Sequence, residues 1–266
     1  MLRPNHRIHT MVCFLMLAVA PSTSGKGKQL PSEPPLVAVA ANMQPAFEEI
    51  AERFRQRSGH GLRPAYGSSG NIARQIEQGA RFEIFLSADE DRIRQLEVAG
   101  RTDGESVIYA IGRLAIVAPI GSAMAVDGEL EGLRRALADG AVQRFAIANP
   151  EHAPYGQAAK EALQRAGLWQ AIERKLVYGQ NISQAAQYAS MSVTQGGIVA
   201  YALALSAPIK SSTRAALIPQ DRHRPLRQRM ALLKGAGLVA RAFFAFLQGD
   251  EARAVLERHG YGIPTD

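Results

Sequence analysis

The sequence predicts a two-lobed α/β protein, each lobe a mostly parallel sheet flanked by helices, with a ligand cleft between the lobes. Three observations carry this. Short apolar strand-like runs alternate with segments of helical periodicity, the pattern of parallel α/β architecture. A fresh strand–helix series begins after Leu114 to Ala118, so the chain crosses there into a second lobe. Polar loops stand at the strand-to-helix junctions of both series, which is where open α/β sheets bind ligands.

Leu36 to Ala41 is a short apolar strand, followed by Phe47, Ile50, Ala51 and Phe54 at i, i+3, i+4 and i+7. Pro45 suits the first turn of that helix and Gly59 its end. Leu62 to Tyr66 is a strand whose Pro64 cannot donate to a ladder, so it belongs at an edge or a strand start. A helix from Asn71 to near Gly79, a strand at Phe82 to Leu86 and a helix carrying Ile93 and Leu96 up to Gly100 follow. In the second series Phe145 to Ala148 and Leu176 to Tyr178 read as strands, Gln157 to Ala166 and Ser183 to Met191 as helices. Ile198 to Leu205 fits either type. The polar stretch Gln220 to Arg229 is expected to carry the chain back, and Leu238 to His259 to form two helices parted near Gly249. The first lobe would then comprise residues 33–114 and 226–266, and the second 115–225.

The N-terminus reads as a signal peptide spanning 1–24. Arg3, His6, Arg7 and His9 form a basic region, Met11 to Ala20 an unbroken apolar run, and Pro21 to Gly25 a small, turn-forming stretch. The run falls short of the ~20 residues that span a bilayer. Cleavage after Ser24 would remove Cys13, the single cysteine, which excludes disulfide scaffolds and Cys-ligated metals from the mature chain. Loss of Arg3 and Arg7 takes the net charge from +7 to +5. The arginines are dispersed rather than interleaved with aromatics, so nucleic acid is not the expected partner, and Arg222, Arg224, Arg227 and Arg229 read as a solvated surface.

The chemistry lies in the loops. Gly67-Ser68-Ser69-Gly70 feeds a helix N-terminus, where unpaired N–H groups, two hydroxyls and the positive end of the helix dipole suit an anion. The lysine of a phosphate-binding P-loop is absent, as is the spacing of a nucleophile elbow. A plain N-cap on a surface helix is the simpler alternative. Ala41-Asn42-Met43-Gln44, Asn149 to Gly156 and Gln180 to Ser183 precede helices in the same way, and four such loops, two in each lobe, argue jointly for a site. His60, His152, His223 and His259 have no metal-ligand spacing. Asp89-Glu90-Asp91 are simplest as partners of a helix dipole. Trp169, Phe243, Phe244 and Phe246 read as core.

Ala40-Ala41-Asn42, GSSGNIARQIEQGA at Gly67 to Ala80, FLSADE at Phe85 to Glu90, NPEHAPYGQAAKEAL at Asn149 to Leu163 and GGIV at Gly196 to Val199 resemble the periplasmic molybdate-binding proteins of ABC transporters. The likeness extends over nearly the whole mature chain. It implies a type II periplasmic binding protein fold, a periplasmic location, no catalysis and no cofactor. The implied ligand is molybdate or tungstate, held through its oxygens, and the implied partners are a membrane permease and its cytoplasmic ATPase, with the binding protein itself a monomer.

Carried over by position, the resemblance assigns oxyanion binding to Asn42, Ser69, Tyr155 and the backbone N–H of Ile182, with Ser68, Ala41 and Tyr201 as further candidates. The chain departs from the family pattern at Ala200, where many relatives have a ligand-binding tyrosine. Tyr155 or Tyr201 would supply that phenol here. A site made of neutral donors favours a fully deprotonated ion, because charge-assisted hydrogen bonds must replace its lost hydration, while Asn42 could donate its amide to the ligand or accept through its carbonyl. Two alternatives are a carrier of another oxyanion such as sulfate, and an exported hydrolase using Ser69 or Tyr155 with His152 as base, which needs the base within hydrogen-bond reach.

Overall fold

The computed structural model describes residues 33–264, so the leader read at 1–24 lies outside the described residues. The chain runs β1 (Leu36–Ala40), a 3-10 turn (Ala41–Met43), α1 (Gln44–Ser58), β2 (Arg63–Gly67), α2 (Ser69–Glu77), β3 (Ile84–Ser87), α3 (Glu90–Val98), β4 (Val107–Gly112), β5 (Leu114–Pro119) and α4 (Glu131–Ala138). It continues through β6 (Phe145–Ala148), α5 (Pro154–Arg165), α6 (Trp169–Ile172), β7 (Leu176–Gly179), α7 (Ile182–Ser190), β8 (Gly197–Ala200), α8 (Tyr201–Ala204), α9 (Ala207–Lys210), β9 (Thr213–Leu217), β10 (Leu226–Leu232), α10 (Leu238–Leu247) and α11 (Asp250–Arg258).

Two five-stranded sheets result, ordered β2-β1-β3-β10-β4 and β7-β6-β8-β5-β9. In each, four strands run one way and the fourth in order runs against its neighbours. The reversed strands are β5, which follows the outward crossing at Arg113, and β10, which follows the return. Each sheet is thus mostly parallel with its antiparallel member supplied by a crossing, and β2 stands at an edge, as Pro64 requires.

The first sheet is buried on both faces, which explains its near-continuous apolar strands. Val37, Val39, Ile84, Leu86, Met230 and Leu232 pack toward Phe47, Ile50 and Phe54 of α1 and Phe243 of α10. The alternate positions, Ala38, Phe85 and Ala231, pack toward Ile72 and Ile76 of α2 and Ile93 and Leu96 of α3. The second sheet has its own core around Leu114, Ile116, Phe145, Ile147 and Ile198. No described helix is long and apolar enough to cross a membrane.

The C-terminal pair of helices parts at Gly249 as expected. The ambiguous stretch 198–205 is both types in turn: a strand through Ala200, then α8. The stretch Gln220 to Arg229 does carry the chain back from the second sheet to the first, through a turn at 220–222 and into β10, which begins at Leu226. The strand escaped notice because one of its inward positions carries the polar Gln228 between Leu226 and Met230, which weakens the apolar alternation. The helices α2, α5 and α7 each begin one to three residues earlier than their apolar periodicity suggests, so their first turns reach into the loops.

Candidate functional site

The loops after β1, β2, β6 and β7 meet at one small cavity of about 10 Å³ between the sheets. Asn42, Ser68 and Ser69 line it from the first sheet's side, and Pro154, Tyr155 and Ile182 from the second's. That is far below the ~300–1,000 Å³ common for drug-sized ligand pockets, so the space excludes a sugar or peptide. No Lys, Arg, Asp or Glu is among the described residues that line it. A larger hollow nearby is open to solvent and ringed by Asp89, Glu90, Asp91 and Glu161 as well as by arginines, an environment that does not favour an anion.

Helix starts surround the cavity. Ser69 opens α2, Ile182 opens α7, and Tyr155 is the second residue of α5 behind Pro154, which has no N–H to give. The first N–H groups of a helix have no partner within it, and Asn42 holds the equivalent place in the 3-10 turn. Side-chain capping is sparse. Asn181 caps α7 through Gln184 N at 3.0 Å, which leaves the N–H groups of Ile182 and Ser183 ahead of it. Ser68, at the N-cap of α2, makes no capping bond. Its Oγ lies 3.0 Å from His152 Nδ1 on the opposite lobe.

Other bonds cross the same gap. Gly70 N–H donates to His152 O at 3.0 Å, and Ser183 Oγ donates to Ala41 O at 2.9 Å. A Cβ on Gly70 would lie 2.6 Å from His152 O, so glycine is what permits this approach. Ser69 is fully buried, and its Oγ accepts from Ala88 N–H at 2.9 Å, leaving its own proton to donate. His152 therefore reaches Ser68, and neither Ser69 nor Tyr155 has it as a hydrogen-bond partner.

Behind the cavity lies a polar network that sequence reasoning missed. Gln228, fully buried on β10, donates through Nε2 to Tyr155 Oη at 3.0 Å. Its Oε1 accepts from Asn42 Nδ2 at 3.0 Å and from Tyr109 Oη at 2.9 Å. Tyr261 Oη accepts the other Asn42 amide proton at 2.9 Å and donates to Asn42 O at 2.8 Å. The Asn42 amide nitrogen is thus turned away into the protein, whereas the sequence suggested that it would donate to the ligand. Asn42 Oδ1 is buried with no hydrogen-bond partner among the described residues. Desolvation pushes the phenols of Tyr109, Tyr155 and Tyr261 above the usual tyrosine range, so all three keep their protons. The one sequence signal for this network was the period-2 placement of Gln228 between two apolar residues.

Tyr201 is not among the cavity-lining residues. The Arg113 guanidinium stacks 5.4 Å from its ring centroid, and its ring edge fills the space beside Gly260. Ala200 ends β8 fully buried, paired with Leu114. His223 Nδ1 is 2.7 Å from the Arg224 carbonyl, and His259 Nε2 is 2.9 Å from Glu49 Oε2. Asp89 caps α3 through Arg92 N at 2.9 Å, the dipole role expected of it. No cluster of three or more His, Cys, Asp or Glu able to hold a metal occurs among the described residues.

Comparison with known proteins agrees with this geometry. A family model described as bacterial extracellular solute-binding protein matches residues 35–262. The molybdate-binding protein ModA of Rhodobacter capsulatus is 34% identical over 229 residues, 85% of this chain and 87% of that protein. The periplasmic molybdate-binding protein of Azotobacter vinelandii superposes with a TM-score of 0.78 at 28% identity, covering 86% of this chain and 99% of that one. The sulfate-binding protein SubI of Mycobacterium tuberculosis shares the fold, with a TM-score of 0.70 at 15% identity, covering 85% of each chain. Two mostly parallel sheets, a small donor-lined cavity between them and these likenesses lead to one conclusion: the chain belongs to the bacterial extracellular solute-binding proteins.

Proposed function

We propose that this protein captures molybdate outside the cytoplasmic membrane and delivers it to the permease of an ABC importer, whose ATPase drives uptake. The observation that carries the reading is the small buried cavity lined by neutral donors, in a chain 34% identical to a molybdate-binding protein. The Ser69 and Tyr155 hydroxyls and the first-turn N–H groups at Asn42, Ser69, Tyr155 and Ile182 are the proposed contacts. Oriented dipoles in a dry site replace the hydration of a dianion without any lysine. Tyr155 rather than Tyr201 stands in for the phenol missing at Ala200, because Tyr155 lines the cavity and Tyr201 packs against Arg113. Tungstate, nearly equal in size and charge, would compete.

A thermal-shift series with molybdate, tungstate, sulfate and phosphate tests the assignment. Ligand at a hundred times Kd stabilises by about 2.7 kcal/mol, which for a chain of this size is roughly 5–10 °C. Molybdate and tungstate should give that rise and sulfate little. A rise with sulfate alone would replace the ligand and keep the carrier role. The hydrolase alternative loses support because His152 is bonded to Ser68 and not to Ser69 or Tyr155, and turnover of phosphate or sulfate esters would restore it. Export after cleavage near Ser24 and a monomeric state complete the proposal. The mass of the protein recovered from the periplasm and its sedimentation test both.

A further inference from the structure

We propose that Gln228 is the specificity-determining residue of this site, acting through Tyr155 rather than on the ligand. The inference rests on the oxyanion-carrier reading above. A tyrosine hydroxyl can give its proton or accept one, so lining the cavity with Tyr155 does not by itself select a fully deprotonated anion. Gln228 removes the choice. Its Nε2 occupies the acceptor side of Tyr155 Oη at 3.0 Å, which directs the phenolic proton away from Gln228 and toward the cavity that Tyr155 lines.

The amide is itself held in that orientation. Its Oε1 takes protons from Asn42 Nδ2 and Tyr109 Oη, at 3.0 and 2.9 Å, and Tyr109 is fully desolvated and stays protonated. Turning the amide over would set Nε2 against these two donors. Gly112 closes the arrangement from the side, since a Cβ there would lie 2.4 Å from Tyr155 Oη and 2.8 Å from Gln228 Nε2. The pair therefore bridges the two lobes, β10 of the first sheet to α5 beside the second, with no room for a side chain at Gly112. A ligand carrying its own proton, such as hydrogen phosphate, would meet a donor at Tyr155 where it needs an acceptor.

The test is a double-mutant cycle by titration calorimetry, with Gln228→Leu, Tyr155→Phe and the pair. The anion used is whichever of molybdate, tungstate and sulfate binds the wild-type protein most tightly, with hydrogen phosphate as the protonated competitor. Failure of wild type to take molybdate thus overturns the ligand assignment without deciding the cycle. In Gln228→Leu the affinity for the dianion should fall about tenfold, the scale of one charge-assisted hydrogen bond, while hydrogen phosphate binding holds or improves, so discrimination shrinks. In the Tyr155→Phe background the same substitution should change neither. Gln228→Glu adds a readout that packing damage would not give: binding lost while the carboxylate is ionised, and regained as pH falls and the group can donate to Tyr155 again. Equal loss for both anions in Gln228→Leu, or additive losses in the double variant, would overturn the proposal. Gly112→Ala, which displaces the pair while deleting neither partner, should reproduce the loss of discrimination.

Discussion

Ser68 Oγ and His152 Nδ1 stand 3.0 Å apart with the serine on one lobe and the imidazole on the other. A second tie, from Gly70 N–H to the His152 carbonyl, makes His152 a point of closure through both its side chain and its backbone.

That position gives a pH dependence. Desolvation and the nearby Arg74 lower the His152 pKa from its ordinary value near 6.5, against an opposing pull from Glu151. The folded form then binds fewer protons than the unfolded chain, so stability is full above about pH 6.5 and declines as pH falls from there through the lowered folded pKa. The melting temperature of the ligand-free protein should show this slope, and His152→Gln should flatten it. A slope unchanged in His152→Gln would assign it to another group.

Gly70→Ala tests the contact that ties the lobes together. Gly70 is the second residue of α2, where alanine gains less than the ~1 kcal/mol of a helix interior, so unfolding in urea should show stability lowered by the strained contact. The new Cβ would meet His152 O at 2.6 Å, and oxyanion affinity should drop by tenfold or more. Unimpaired binding would mean that the lobes close on the ligand without this contact.

Ser69→Ala should act on both properties together. It leaves the buried Ala88 N–H without its acceptor, at a cost of ~1–3 kcal/mol in the ligand-free protein, and removes one donor from the cavity. Urea unfolding reads the first effect and calorimetry the second. A stability loss with unchanged affinity would confine Ser69 to a structural role.

Far from the cavity, Glu49 joins α1 to α11. Burial acts to raise its pKa, but hydrogen bonds from His259, Arg53 and Arg258 outweigh this and hold it at about 2. Its contribution is present above the unfolded value near 4.5 and is lost as pH falls toward 2. Because the carboxylate is a third exposed, Glu49→Gln should cost less than about 1 kcal/mol at neutral pH. The acid side of the stability profile should become shallower in that variant.

The sequence was most informative where local chemistry and global fold agree. Gly59 ends α1, Pro64 marks an edge strand, and the loops before α2, α5 and α7 carry the residues that line the cavity. It was least informative where a buried position is polar. Gln228 and the Asn42 amide nitrogen are buried in the first sheet's side of the site, bonded to partners more than seventy residues away in sequence, and no local window contains both ends of such a bond.

The order of strands also bears on how the molecule is assembled. Every strand of the second sheet lies between residues 114 and 217, whereas the first sheet stays open between β3 and β4 until residues 226–232 are inserted. The later-encoded half can therefore complete its hydrogen-bond ladder before the earlier one. In a folding experiment, amide protection should arise in β5 to β9 ahead of β1, β3 and β4, and a chain ended before Leu226 should keep an ordered second sheet beside an incomplete first.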